Sequence, residues 1–288
     1  MIGIIGGTGL YALPGLVEQD WRHIDSSFGE PSDALLFGRL GDHRIAFLPR
    51  HGRGHRIPPH EIPFRANIDA LKRAGVTTVL SISAVGSLRA ELAPGTFVLV
   101  DQFIDRTLRG PKTFFGSGCV AHVSMAHPTC ARVRGELAAA GSALGLAVAV
   151  GGTYVAMEGP QFSSAAESEM HRMLGCSVVG MTNMPEAKLA REAELCYATV
   201  AMVTDFDCWH PDHDHVVVDH VVKVLHANAD RARALIAAAV PRLGGHVGLC
   251  PNGCDRALDT AILTAEAARD PELVRRLDAV AGRVLRRS

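Results

Sequence analysis

The chain has 288 residues, 48% hydrophobic and 20% charged, with a formal net charge of −1 when histidine is neutral. That length can bury a large core, in one big α/β domain or two smaller ones, and the near-neutral charge lacks the basic excess that marks nucleic-acid binders. No apolar run reaches the ~18 residues of a membrane span, so neither nucleic acid nor membrane is an expected partner. In chain order, "IGII" (2–5) is a β-branched run that feeds the glycine loop "GGTG". The N-terminal stretch lacks the basic region of a secretory signal. "ALLFGRLGDHRIAFLPR" predicts a hairpin turning at Gly41 and Asp42, and "EIPFRANIDALKRAG" a helix closing on Gly75. "VTTVLSISA" and "GTFVLVDQF" predict two buried strands, and residues 106–128 are loop-like. "TCARVRGELAAAGSALG" predicts a helix, then "AVAVGGTYVAM" a strand. "SAAESEMHRMLG" predicts a helix, "CSVVGMT" a strand, and "MPEAKLAREAEL" a helix with Pro185 near its start, where proline is favoured. "CYATVAMV" predicts the next buried strand, and a longer helix follows from about Val217 to Ala239 before a tail of short helices. The alternation, without repeat or linker, predicts one α/β domain with a mainly parallel core. Ligands of such sheets bind at the carboxyl ends of strands.

The cysteines are Cys119, Cys130, Cys176, Cys196, Cys208, Cys250 and Cys254. An odd number without a secretion signal predicts free thiols and a cytoplasmic location. "CPNGC" (250–254) can pair, bind metal or form a plain surface loop; with no second pair nearby in sequence, the surface loop is favoured. "HPDHDH" carries His210, His213 and His215 without an evident ligand geometry. Its polarity and its proline predict a mobile lid before the long helix, so no metal site is expected.

Several strand-end loops suit an anion. In "GGTG", backbone N–H groups and the Thr8 hydroxyl can donate. The loop also loosely matches a dinucleotide pattern, but Pro14 opposes the helix that pattern needs, and a plain turn remains open. "PRHGRGH" sets Arg50, His51, Arg53 and His55 in a glycine-rich turn after a strand. It fits a phosphate or carboxylate, or is a solvated basic loop. "SISAVGSLR" ends a strand in Ser83 and Gly86 with donors free. "MEGPQFSSAAES" offers Phe162, either core or a surface for a flat ring, and "GMTNMPE" offers Thr182.

The stretch "TDFDCW" places Asp205 and Asp207 where a buried strand ends. Alternation along a strand puts residues i and i+2 on one face. Two carboxylates held close in a dry pocket do not both ionise, leaving one donor beside one acceptor. That pair complements the N7 and exocyclic amino group of adenine. With the anion loops, it points to phosphorolysis of an adenine nucleoside.

Together these residues resemble the purine nucleoside phosphorylase family and, within it, the branch acting on 5'-methylthioadenosine. The similarity runs in order through "IGIIGGTGLY", "RHGRGH", "SAVGSLR", "DQFIDRT", "EGPQFSS", "MTNMPEAKLAREAELCYA" and "TDFDCW" to the helix near residue 240. "DQFIDRT" and "TDFDCW" mark the branch; the 6-oxopurine branch carries Asn at the second acid position. The resemblance implies a single α/β domain over residues 1–245, with a central mixed, partly barrel-like β-sheet surrounded by helices, and a C-terminal helical extension over 246–288. It implies a homotrimer or a dimer of trimers and no cofactor, with inorganic phosphate as co-substrate. Phosphate would be held by Thr8, Arg50, His51, Ser83 (Thr is usual there), the backbone of Ala84, and Thr182. The nucleoside would meet Phe162, Met181 and His55. Asp205 would donate to N7 and Asp207 accept from N6. The 5' group would lie among Val218, Val221 and Val222, closed by His122 of a neighbouring subunit. Rival expectations are a phosphorylase for adenosine, a 5'-halo-5'-deoxyadenosine or methylthioinosine, a nucleosidase using water, a dinucleotide oxidoreductase, and a purine-binding protein without turnover.

Overall fold

The structure is a computed structural model that describes residues 1–286 except Thr8, Gly9, Tyr11 and 211–217; over 218–226 it describes the backbone and, of the side chains, that of Val224 alone. β1 (Ile2–Gly6) is buried at every residue and runs parallel to β4 (His43–Pro49) on one side and β5 (Thr78–Ser87) on the other. β2 (Leu16–Arg22) and β3 (Leu35–Leu40) continue beyond β4 as antiparallel neighbours, β3 and β4 joined through the turn at Gly41 and Asp42. The sheet forks at β5, which pairs in parallel with β11 (Cys196–Asp205) and, at its end, antiparallel with β10 (Val178–Gly180). From β11 the ladder passes through β6 (Phe97–Leu99) to β8 (Val148–Val150). From β10 it passes through β9 (Thr153–Ala156) to β7 (Gln102–Asp105). The outcome is one eleven-stranded mixed sheet, not closed among the described residues.

Both faces are covered, as strand alternation in continuous apolar runs requires. Ile5, Val79, Tyr197, Ala201 and Val203 face one layer, with Ile68 and Leu71 of α1 (Phe64–Arg73) and Ala187 and Leu189 of α4 (Asn183–Glu192). Ile4, Leu80, Ala198, Val200 and Met202 face the other, with Val133 and Leu137 of α2 (Ala131–Ala143) and Leu235 and Ile236 of α5 (Val218–Gly244). α3 (Ala165–Met173) opens with a capping box between Ser164 and Glu167. The short helices α6 (Pro271–Arg276) and α7 (Gly282–Leu285) follow in the tail, where Leu277, Val280 and Ala281 join the first layer.

Three expectations change. "GTFVLVDQF" is two strands, β6 and β7, on different branches of the fork. "AVAVGGTYVAM" also splits, into β8 and β9, because Gly151 and Gly152 take φ of +90° and +129° and the Gly152 N–H donates to Asp101 Oδ1 at 3.0 Å. The central run β4–β1–β5–β11 is parallel, as expected, and the sheet as a whole is mixed because β10 and β6 run antiparallel to β5 and β11. "CPNGC" is no surface loop: Cys250 is 2% and Cys254 1% exposed, packed with the second layer beside Cys130 and Cys196. Those two lie far away in sequence, and the fold brings them in. The strand β2, exposed beyond Leu16, is an edge with no alternation to betray it.

Candidate active site

The carboxyl ends of β1, β4 and β11, the second half of β5 and the turn after β10 enclose a cavity of ≈ 330 Å³. Its wall includes Arg50, His51, His55, Ser83, Ala84, Phe162, Met181, Thr182 and Asp205, with apolar surface from Val85, Val179 and Met202. Residues from six separate motifs thus meet in one place.

The floor is a buried polar network. Arg50 Nε and Nη2 hold Glu186 Oε2 and Oε1 at 2.8 and 3.2 Å, Nη2 also donates to Ser81 Oγ at 2.7 Å, and Nη1 donates to the Ile82 carbonyl at 2.9 Å. A guanidinium has five N–H groups, so one on Nη1 is left for a ligand. Glu186 Oε1 also accepts from Ser81 and Tyr197 at 2.6 and 2.8 Å, and the Asn183 amide donates to both of those hydroxyls. Burial opposes the Arg50 charge, yet Glu186 outweighs it and raises the pKa. A bidentate, fully hydrogen-bonded pair is the arrangement in which a buried ion pair is tolerated.

His51 lies within hydrogen-bond distance of the Ile57 carbonyl, 2.9 Å from Nδ1, and stacks on His55 at 4.3 Å. Burial first, then the Arg50 charge, push its pKa down to about 4. It is therefore neutral near pH 7, with Nδ1–H donating to Ile57 and an acceptor lone pair on Nε2. Ser83 Oγ and Thr182 Oγ1 stand 3.0 Å apart in the wall.

β11 ends at Asp205 after a register shift between Val203 and Asp205. Strand alternation does not carry Asp207, because the chain has turned: its φ is +52° and its N–H donates to Asp205 Oδ1 at 2.8 Å. Asp205 lines the cavity. Asp207 is 4% exposed, and its Oδ2 has no hydrogen-bond partner among the described residues. Thr204 Oγ1 lies 2.7 Å from Asp205 Oδ2 and 3.2 Å from the Val85 carbonyl, one proton between two acceptors. Gly86 makes the arrangement possible, since a Cβ there would fall 2.9 Å from Asp205 Oδ1 and 3.2 Å from Asp207 Cβ.

Two residues unmarked in the sequence organise the site. Glu186 holds Arg50. Arg109, in the loop after β7, donates to the carbonyls of Pro59, Met157, Glu158 and Met181 at 2.7–2.9 Å. It ties three loops of the cavity wall together; nothing local in "MPEAK" marked Glu186 as the partner of Arg50, and nothing in "RTLRG" singled out Arg109. His122 is exposed, does not line the cavity, and its backbone N–H donates to Ala261. Thr8, His213 and His215 lie outside the described residues, as do the side chains of Val218, Val221 and Val222. His210 stacks on Phe206 at 4.6 Å.

A family model described as "Phosphorylase superfamily" matches residues 1–241. The S-methyl-5'-thioadenosine phosphorylase of Cereibacter sphaeroides is 60% identical over 99% of both chains, and that of Bradyrhizobium diazoefficiens 62% over 99% of this chain and 98% of its own. A methylthioadenosine phosphorylase from an antarctic soil metagenomic library superposes with a TM-score of 0.92 at 46% identity, covering 97% of this chain and 98% of its own. The Schistosoma mansoni methylthioadenosine phosphorylase in complex with adenine gives 0.79 at 39%, covering 85% and 92%. With identity at this level over nearly the full length, the chain belongs to the phosphorylase superfamily and, within it, to the S-methyl-5'-thioadenosine phosphorylases.

Proposed function

We propose that the protein catalyses phosphorolysis of 5'-methylthioadenosine to adenine and 5-methylthioribose 1-phosphate. Beyond the relatives' names, the reading rests on one observation: Asp205, backed by the buried Asp207 whose N–H it accepts, closes one part of a cavity whose other wall carries a spare guanidinium N–H and two hydroxyls. The orphaned Oδ2 of Asp207 is a buried acceptor awaiting a donor, and the exocyclic amino group of adenine is one. Asp205, in the wall, donates a proton to N7 as negative charge builds on the leaving purine, general acid work of roughly 10²–10⁴-fold.

Phosphate lies against Arg50, Ser83, Thr182 and the Ala84 backbone, with Thr8 closing from the first loop. Neutral His51 accepts from a phosphate hydroxyl through Nε2, and the Arg50 N–H donates to a phosphate oxygen. Phe162 covers the base, His55 and Met181 border the ribose, and the glycosidic bond stretches toward an oxocarbenium-like sugar. Phosphate attacks the face opposite the base and inverts C1'. Positioning and electrostatics supply the rate; no covalent nucleophile, cofactor or metal takes part in the chemistry. The resemblance assigns the 5' group to Val218, Val221 and Val222, whose side chains lie outside the described residues, and His122 to a neighbouring chain of a trimer or dimer of trimers. Val120 and Leu263, the second 68% exposed, leave apolar surface open near His122, as an assembly contact would. The enzyme works in the cytoplasm.

The test is adenine release from 5'-methylthioadenosine with and without phosphate, beside adenosine, a 5'-halo-5'-deoxyadenosine and methylthioinosine. Phosphate-dependent release with methylthioadenosine far ahead is expected, and Asp207→Asn should move preference toward methylthioinosine by tenfold or more, about 1.4 kcal/mol. Turnover without phosphate would make it a nucleosidase. A lead for methylthioinosine in the unmodified enzyme would sink the amino-edge reading of the acid pair.

A further inference from the structure

Four cysteines that the reaction does not use converge at the end of β11 opposite Asp205. Cys130 stands just before α2, Cys196 opens β11, and Cys250 and Cys254 flank the turn after α5. All four are buried, and their sulfurs lie within 4.8 Å of one another. Cys130 Sγ and Cys250 Sγ are 3.6 Å apart. Four thiolates bound at ~2.3 Å around a tetrahedral ion stand about 3.8 Å apart, so the cluster needs only small rotamer changes to close on one.

Two hydrogen-bond donors face the sulfurs. The Val133 N–H, at the start of α2, donates to the Cys130 sulfur, where the helix dipole favours negative charge. The Arg132 guanidinium stands beside the sulfurs, hydrogen-bonded to Cys196 and facing Cys130 and Cys250. Cys250 and Cys254 have the spacing of a zinc-binding turn. Gly253 takes φ of +67° and donates to the Cys250 carbonyl at 2.9 Å, which brings the two side chains to one side. A cleft of ≈ 660 Å³ lined by Arg132, Cys196 and Cys250 gives an ion access from solvent.

We propose that Cys130, Cys196, Cys250 and Cys254 hold one structural zinc ion. Binding exchanges four thiol protons for one Zn²⁺ and forms four Zn–S bonds, with no change of oxidation state. The complex carries a charge of −2, which Arg132 offsets in part. Four protein ligands leave no open coordination position, so the ion staples and does not catalyse. Soft sulfur donors in tetrahedral array select zinc over magnesium or calcium. The staple fastens the segment after α5 to the first residue of β11 and the start of α2.

The experiment is metal analysis of the full chain, purified under reducing conditions without chelator. We expect one zinc per chain that survives dialysis against EDTA and is released when a mercurial titrates the thiols. Cobalt exchanged into the unmodified protein should give the ligand-field and near-ultraviolet charge-transfer bands of tetrahedral thiolate ligation, a readout that needs no variant to fold. Cys250→Ser should lose the metal to background, while Cys208→Ser keeps it. Background metal in protein as purified and again after incubation with zinc would overturn the proposal. So would disulfides among these four cysteines in mass spectra of the protein denatured without reductant, or cobalt bands without sulfur charge transfer.

Discussion

His51 carries a pH dependence of known sign. Its pKa falls from 6.5 to about 4 on folding, through burial and the neighbouring Arg50. Between those values the unfolded chain binds a proton that the folded chain refuses, so stability rises with pH across the window and is lost as pH falls through it. The full loss is on the order of 3 kcal/mol. Urea unfolding from about pH 7 down to about pH 4 should show this loss in the unmodified protein and a shallower one in His51→Gln. Parallel curves would mean that folding does not shift the His51 pKa, and the argument for an imidazole held neutral toward phosphate would fall with it. On the proposed reading the neutral imidazole and the neighbouring guanidinium divide the work: Arg50 supplies charge, and His51 tolerates only a ligand that can donate to it.

At the scale of elements, the cavity depends on loops that strand geometry does not fix. Arg109 bonds four carbonyls from three loops, and Pro59, Met157 and Met181 among them line the cavity. Arg109→Ala leaves these carbonyls unpaired and the wall displaced. Misplacement of about 1 Å costs on the order of 10²-fold, so kcat/KM should drop by that order while the thermal midpoint moves by a few degrees. Unchanged kcat/KM would reduce Arg109 to a packing residue. Strands and helices with clear periodicity were legible, including both layers of α1, α2, α4 and α5. Two things were not. Short strands on different branches of a fork read as one run, because β6 with β7 and β8 with β9 are each contiguous and apolar. Partners far apart in sequence, such as Glu186 for Arg50 and Cys130 and Cys196 for "CPNGC", have no local pattern. The motifs of the cavity wall were legible since glycine loops, exposed hydroxyls and paired acids at strand ends are odd locally.

At the scale of the molecule, a lone chain of 30.6 kDa leaves His122 on the surface, away from the cavity. The proposed assembly brings it to the neighbour's site. Sedimentation should give a mass that is a multiple of three chains. Subunits carrying His122→Ala mixed with subunits carrying Asp205→Asn should regain activity that neither has alone, because some sites then combine an intact Asp205 with an intact His122. Mixtures no better than their parts, in assemblies shown to exchange subunits, would place His122 outside the site.

Asp207 stands past the last rung of β11, in a left-handed turn where asparagine is as comfortable as aspartate. Its side chain holds no strand register and makes no ladder contact. On the proposed reading, the base a descendant enzyme accepts is written in a residue the scaffold does not consult. Asp and Asn codons differ by a single nucleotide, so a lineage could trade one purine for another in one mutational step, keeping its folding intact while its metabolism changes.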